Sequence, residues 1–337
     1  RAKVLKPMNK VIEQDAEEIL RRVDLRKLKS KRVLITGANG FLGQYVAAAL
    51  SLANRKNKLG TKIDTVGLST PRLILKDIIG NDPLVKYKKV DLTKPFKLSG
   101  YDYIFHAAGY AQPAKFVNDP RGTIAINIEA TEQLLKGSPK ATFVFFSSAE
   151  VYGDIPEEEI PVKESYNGNS PLHGPRSVYA ESKRLGEALC VAYNRLNSTP
   201  IKIVRISHVY GPGLPFDDRR VMSEFIARAL TKGEIALMDQ GKAVKTYGYN
   251  ADVIAMILHA AIFGKELVYN VGGKDPVSIL DLAKKIAKET GSSYQVPKEK
   301  STLRHIGKDP RVVRLDLTRV KKEMKKFDRK FENFIGF

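Results

Sequence analysis

The segment Tyr179-Ala180-Glu181-Ser182-Lys183 puts a phenol and an ammonium four residues apart. On a helix that spacing is one turn and one face. A free tyrosine titrates near about 10, too high for a base at neutral pH. A neighbouring cation, together with the charge of an oxidised nicotinamide, favours the phenolate. Tyr179 is then placed to take a proton from a substrate hydroxyl while hydride leaves the same carbon. Lys183 would tune Tyr179 and hold the nicotinamide ribose. A third group comes from Phe145-Phe146-Ser147-Ser148-Ala149-Glu150-Val151-Tyr152-Gly153. There Ser148 can donate a hydrogen bond to the reacting oxygen, and Ser147 is read as a backbone-bonded neighbour.

A hydride needs an acceptor, and the chain carries a site for one. Val33-Leu34-Ile35-Thr36-Gly37-Ala38-Asn39-Gly40-Phe41-Leu42-Gly43 runs an apolar strand into a glycine-rich turn. Glycines there let the backbone approach a pyrophosphate, and the helix that follows points its N-terminus at the charge. The spacing is GxxGxxG rather than GxGxxG. The strand-turn-helix context makes the motif a dinucleotide site. After the second strand the chain reads Gly67-Leu68-Ser69-Thr70-Pro71-Arg72, with no carboxylate for the ribose hydroxyls. Ser69, Thr70 and Arg72 could hold a 2′-phosphate, so the cofactor is NAD or NADP, with NADP favoured. Asp91-Leu92, after the third strand, suits the adenine amine.

The elements that must position these groups follow from periodicity. Strands are expected at Arg32–Thr36, 63–68, 84–90, 103–107, 141–146 and Ile201–Ile206. Helices are expected at 41–52, 123–136 and 179–194. Alternating strands and helices give an α/β fold with a Rossmann-type, doubly wound parallel sheet. Past Gly211-Pro212-Gly213 the pattern changes to helices at 220–230 and 279–289, joined through short strands near 243–249 and 267–271. This reads as a smaller, interleaved C-terminal substrate-binding lobe. Residues 1–30 form a helical N-terminal extension. Residues 31–207 with about 241–272 form the dinucleotide-binding domain. Residues 208–240 with 273–337 form the nucleotide-sugar lobe.

Composition bounds the class. The 337 residues suffice for one large domain or two smaller ones, and no apolar run approaches a membrane span. No secretory signal is read at the start. The lone Cys190 cannot form an internal disulfide, so a reducing, cytoplasmic setting is expected. The formal charge of +20 could attract nucleic acid, or it could draw in anionic sugar nucleotides. The charge is spread along the chain and no nucleic-acid motif accompanies it, so nucleic acid is not read as the primary ligand. No metal-ligand cluster is read.

Taken together, TGxxGFxG, the SSxEVYGD run, the YxxxK helix and Tyr210-Gly211-Pro212-Gly213 resemble the extended short-chain dehydrogenase/reductase family acting on nucleotide sugars. The likeness runs from Lys31 onward. It implies a nucleotide-diphosphate sugar as substrate and a homodimer. It also implies cofactor contacts from Asn39, Phe41, Leu42, Ala107, Ala108 and Asn127. Arg220, Val221 and Phe225 resemble the nucleotide-pocket segment, and Gln112, His208, Lys245 and Tyr247 complete the substrate side. Where relatives have Asn before the YGPG stretch, this chain has His208, read as a hydrogen-bonding pocket wall.

Glu150 discriminates among reactions. In the family, 4,6-dehydratases carry an Asp-Glu pair, 4-epimerases a neutral residue, and UDP-glucuronate decarboxylases a neutral-Glu pair. Ala149-Glu150 resembles the last, as does Gly174-Pro175-Arg176 before Tyr179. Those decarboxylases place an Arg where this chain has Lys245, which lacks the bidentate fork. The leading expectation is a decarboxylase-like enzyme that oxidises the sugar C4 hydroxyl and returns the hydride. Epimerase, dehydratase and reductase remain open, as does a cofactor-binding regulatory protein of the same fold.

Overall fold

The structure, a computed structural model, describes residues 9–215, 217–298 and 312–324. Much of the basic tail from Lys298 onward lies outside them. In chain order the elements begin with α1 (Lys10–Arg22), β1 (Arg32–Thr36), α2 (Phe41–Asn57), β2 (Lys62–Gly67), α3 (Leu73–Asn81), β3 (Val85–Lys89) and β4 (Tyr103–His106). Next come α4 (Pro113–Asn118), α5 (Pro120–Ile124), α6 (Ala130–Gly137), β5 (Thr142–Ser148), α7 (Ser177–Asn197), β6 (Ile201–Ile206) and β7 (His208–Tyr210). The remainder is α8 (Val221–Lys232), β8 (Glu234–Ala236), β9 (Val244–Tyr249), α9 (Asn250–Phe263), β10 (Val268–Val271), β11 (Pro276–Ser278), α10 (Ile279–Thr290), β12 (Ser293–Gln295), β13 (Val312–Val313) and α11 (Thr318–Glu323).

Seven strands form one parallel sheet in the order β10-β6-β5-β4-β1-β2-β3. This is the doubly wound arrangement expected from the sequence. The order reverses between β1 and β4, so the crevice at the carboxyl ends of the strands opens there. β5 shows why the sheet must be covered on both faces: Phe143, Val144, Phe145 and Phe146 are all buried. β9 pairs with β11, β13 and β7 in a second sheet, and β12 pairs with β8. These strands, with α8 and α10, build the smaller lobe around Phe225, Ile235, Tyr247 and Leu282.

The helices α3, α4, α9 and α11 were not foreseen. α9 is apolar on all sides, with Val253 through Ala260 nearly sealed from solvent. α3 follows Pro71-Arg72 and contains Gly80. α1 lies against α2 and α9. Its Asp15 is 4% exposed and accepts hydrogen bonds from the Tyr45 hydroxyl (2.9 Å) and the Tyr249 hydroxyl (2.9 and 3.0 Å). The extension thus joins the helix that leaves the glycine turn to a strand of the small lobe. No helix among the described residues is long and apolar enough to cross a membrane.

Candidate active site

The glycine turn is shaped by close approach. Gly37 adopts φ +65°, and a Cβ there would sit 2.6 Å from the Ala107 carbonyl and the Ala108 nitrogen. A Cβ on Gly43 would lie 2.4 Å from the Gly37 oxygen. The turn is therefore pressed against the end of β4 and against its own helix, and Gly40 begins α2 as its N-cap. Phe41 is buried and Leu42 packs at the core edge. His106 pins the same corner: its Nδ1 shares a 2.7 Å hydrogen bond with Thr36 Oγ1, and its Nε2 one of 3.1 Å with the Ile126 carbonyl. Complete burial and the nearby Lys183 charge push His106 down to about 3, so it is neutral.

Asn39 reaches across the turn. Its Nδ2 donates to the Ser69 carbonyl (2.6 Å) and the Thr70 carbonyl (3.2 Å), and its Oδ1 accepts from the Arg72 amide (3.3 Å). Asn39, Ser69, Thr70 and Arg72 are thus brought together, with Ser69, Thr70 and Arg72 exposed. Tyr87 joins them, its hydroxyl donating to the Ser69 carbonyl and lying 3.3 Å from Asn39 Nδ2. A Cβ on Gly67 would meet that hydroxyl at 2.9 Å. Nothing in the sequence pattern signalled Tyr87. At the end of β3 the Asp91 carboxylate accepts from the Thr93 hydroxyl (2.7 Å) and amide (3.0 Å). These bonds hold its pKa below the usual carboxylate range. Leu92 beside it is buried.

Asn127 sits where the α5–α6 stretch widens by one residue, the Ala130 amide donating to the Ala125 carbonyl five residues back. Such π-turns recur at functional sites. Its Nδ2 donates to Ser182 Oγ (2.9 Å), while Oδ1 is fully buried without a hydrogen-bond partner. Gly186 makes this contact possible, since a Cβ there would lie 2.5 Å from Phe145 and 2.9 Å from the Asn127 carbonyl. Lys183 is 3% exposed, and its Nζ donates to the Phe146 carbonyl at 2.7 Å. Burial pulls its pKa down to about 7, against an upward pull from Glu187. Glu187, one turn further, accepts from Ser147 (2.5 Å) and pairs with Arg205 (2.7 Å). Ser147 is thus a structural bonder, to a side chain rather than to backbone.

Tyr179 lies in the first turn of α7, 7% exposed, its ring stacked on Phe116 at 4.7 Å. Burial and the Glu150 carboxylate push the phenol up to about 12, against downward pulls from the Ser148 hydrogen bond, Arg220 and Arg176. Ser148 ends β5 and caps the next turn, accepting from the Glu150 amide at 3.2 Å. Glu150 is paired with Arg176, whose Nε lies 3.2 Å from Oε2. Arg176 also lies over the Phe116 ring at 5.7 Å. Phe116 and Asp218 were not singled out from sequence, and Arg176 only within the Gly174-Pro175-Arg176 stretch; the contacts of Phe116 with Tyr179 and of Arg176 with Glu150 join residues distant in the chain.

On the opposite wall, Arg220 caps α8 and is gripped by Asp218 through Nε (3.0 Å) and Nη2 (2.6 Å). Gln112 hydrogen-bonds to the same carboxylate. Gln112, Arg220 and Tyr179 therefore share one cleft. Val221 and Phe225 face the small-lobe core. The His208 ring lies 5.4 Å from that of Tyr247, joining β7 to β9. Lys245 is only 2% exposed, on β9 between Val277 and Val313 of its neighbour strands.

The sequence profile of the NAD dependent epimerase/dehydratase family matches residues 33–272. The chain belongs to that family. It is an NAD(P)-dependent enzyme of the nucleotide-sugar-modifying branch, as the motifs led one to expect. UDP-glucuronic acid decarboxylase 5 of Arabidopsis thaliana is 30% identical over 292 residues, 86% of this chain and 82% of that protein. UDP-glucuronic acid decarboxylase 4 of the same plant is 29% identical over 88% of this chain, but the match spans 64% of that longer protein. Among solved structures, a UDP-N-acetylglucosamine 4-epimerase from Methanobrevibacter ruminantium M1 superposes with a TM-score of 0.75 at 23% identity, covering 91% of this chain and 96% of that one. A dTDP-glucose 4,6-dehydratase from Streptomyces venezuelae gives 0.74 at 22%, covering 90% and 94%. These two likenesses are of fold.

The residues present fit a dinucleotide. The turn leaves room for no side chain at Gly37 or Gly43, and the orphaned Asn127 oxygen and the Lys183 ammonium both lie close to Gly109 in the same crevice.

Proposed function

We propose that this protein decarboxylates a nucleotide-diphosphate uronic acid, UDP-glucuronate being the leading candidate, by transient oxidation at C4. The observation that carries this reading is the pair Ala149-Glu150 beside Tyr179. Expelling a 6-hydroxyl needs an acid at the position that Ala149 fills with a methyl group. Glu150 is instead held by Arg176 next to the phenol. Bound NAD(P)+ would accept hydride from C4 and later return it. The glycine turn, Asn39, Asp91, Leu92, Ala107, Ala108, Asn127 and Lys183 would hold it. Ser69, Thr70 and Arg72 favour the 2′-phosphate of NADP.

Tyr179 takes the C4 hydroxyl proton and Ser148 donates to the same oxygen. At about 12 the phenol is protonated in the free protein, so the base is formed only once additional positive charge enters the cleft. A C4 ketone makes the sugar a β-keto acid, which loses carbon dioxide without a metal. Gln112, Arg220, Val221, Phe225, His208 and Tyr247 line the nucleotide-sugar side.

A second reading, 4-epimerisation of a neutral nucleotide sugar, is favoured by one observation. Lys245, standing where the decarboxylase pattern has Arg, is enclosed in the small sheet. Incubation with a panel of nucleotide sugars, followed by product mass and ring configuration, separates the two. Carbon dioxide loss from UDP-glucuronate supports the first. Inversion at C4 without mass change supports the second and overturns the first. A homodimer through α5 and α7 belongs to the same reading. Ile124 and Leu185 on those packed helices are 44% and 56% exposed, and light scattering of the purified protein tests it.

A further inference from the structure

A sugar acid needs a cation at its carboxylate, and Lys245 is sealed into β9 with 2% exposure. The cations whose charge acts most on Tyr179 are Arg220 and Arg176. Arg220 is tied by Asp218, itself 3% exposed, through its amide and both Nε and Nη2. Arg176 is gripped through the same two nitrogens, Nε and Nη2, but its partner Glu150 keeps 29% of its side-chain surface in solvent where Asp218 keeps 2%. A carboxylate that still touches water gives up its partner at a smaller desolvation cost than a buried one. Arg176 is also braced over Phe116, which stacks on Tyr179. Its fork is therefore fixed in place relative to the base even when its partner changes.

We infer that Arg176 is the substrate-carboxylate receptor, exchanging Glu150 for the carboxylate of a nucleotide-linked uronic acid. This rests on the decarboxylase reading and adds to it a residue and a sequence of events. Arg presents paired donors matched to a carboxylate, which Lys245 would not. The exchange frees the Glu150 carboxyl from Arg176, so that it can relay to the sugar the one solvent proton that decarboxylation consumes. The chemistry then balances. In the C4 ketone the C5–carboxylate bond breaks, carbon dioxide leaves, and the electron pair becomes the C4–C5 enolate. Glu150 passes its proton to C5, giving the C4 ketone that is next reduced, and Glu150 returns to Arg176 as a carboxylate.

Calorimetric titration of the NAD-loaded protein with UDP-glucuronate and with UDP-glucose tests this. The wild type, Arg176→Gln, Arg176→Lys and Glu150→Gln are compared, with decarboxylation measured for each. Arg176→Gln is expected to weaken UDP-glucuronate binding by about tenfold or more while leaving UDP-glucose within about twofold. Arg176→Lys should recover only part of the loss. Glu150→Gln, which removes the competitor for the fork, should tighten UDP-glucuronate by about threefold or more even as turnover falls. Equal losses for both sugars in Arg176→Gln, or weaker UDP-glucuronate binding in Glu150→Gln, overturn the exchange. A wild type that turns over UDP-glucuronate with these outcomes reversed refutes Arg176 alone. A wild type that binds UDP-glucuronate but never releases carbon dioxide refutes the decarboxylase reading.

Discussion

Replacing Lys183 with methionine should stabilise the free protein while disabling the enzyme. The ammonium is 3% exposed and its pKa falls from 10.5 to about 7, with burial as the main cause. At about 1.4 kcal/mol per unit, holding that charge in the fold costs roughly 5 kcal/mol at most. Methionine fills similar space without a charge, but it forfeits the 2.7 Å bond to the Phe146 carbonyl, about 1–3 kcal/mol. A net gain of roughly 2 kcal/mol is left at pH 6, or about 4–8 °C in melting temperature. The sign changes with pH. The folded-state value lies below the unfolded one, so between about 7 and 10.5 the unfolded chain keeps a proton the folded chain has released. Wild-type stability therefore rises with pH through that window, by about 2–3 kcal/mol near pH 9. Thermal melts of cofactor-free wild type and Lys183→Met near pH 6 and pH 9 read the difference directly. The variant should lead at about pH 6 and lose its lead by about pH 9. A variant less stable at the lower pH, or a lead that grows with pH, refutes the reasoning.

Three further outcomes follow from the geometry. Gly37→Ala forces a side chain into positive φ and against the Ala107 carbonyl. It should cost about 2–4 kcal/mol in denaturant melts and weaken dinucleotide binding in calorimetry. Asp15→Ala removes the buried carboxylate to which the Tyr45 and Tyr249 hydroxyls donate. Chemical denaturation should show a loss of about 2–4 kcal/mol. Arg72→Ala should weaken NADP binding by about tenfold and leave NAD within about twofold. Equal effects on both would remove the argument for NADP.

The parallel sheet was readable because central strands such as β1 and β5 are buried on both faces. β1 and β6 fall on the expected residues, since Val33, Leu34 and Ile35 run continuously apolar and only Lys202 interrupts Ile201, Ile203 and Val204. α2 runs five residues past the expected end, to Asn57; Ala53 and Asn54 stay buried against the core, while Arg55, Lys56 and Asn57 form an exposed last turn. α9 escaped notice for the opposite reason: a helix enclosed on every side has no polar stripe to set a period. In the site, Tyr179, Ser148 and Lys183 were legible because a local motif carries them. The Glu150–Arg176 pair spans 26 residues, and the Phe116–Tyr179 stack joins α4 to α7. Only tertiary packing makes those pairs. Lys183, expected to tune Tyr179 and hold the nicotinamide ribose, has its Nζ aimed by packing at the Phe146 carbonyl.

The most direct test of the account is the decarboxylation rate of Tyr179→Phe with saturating NAD and UDP-glucuronate. The substitution removes one oxygen and keeps the ring on Phe116, so the fold and sugar binding should persist. The account predicts a rate lower by about 10²–10⁴-fold; carbon dioxide release at the wild-type rate would contradict it.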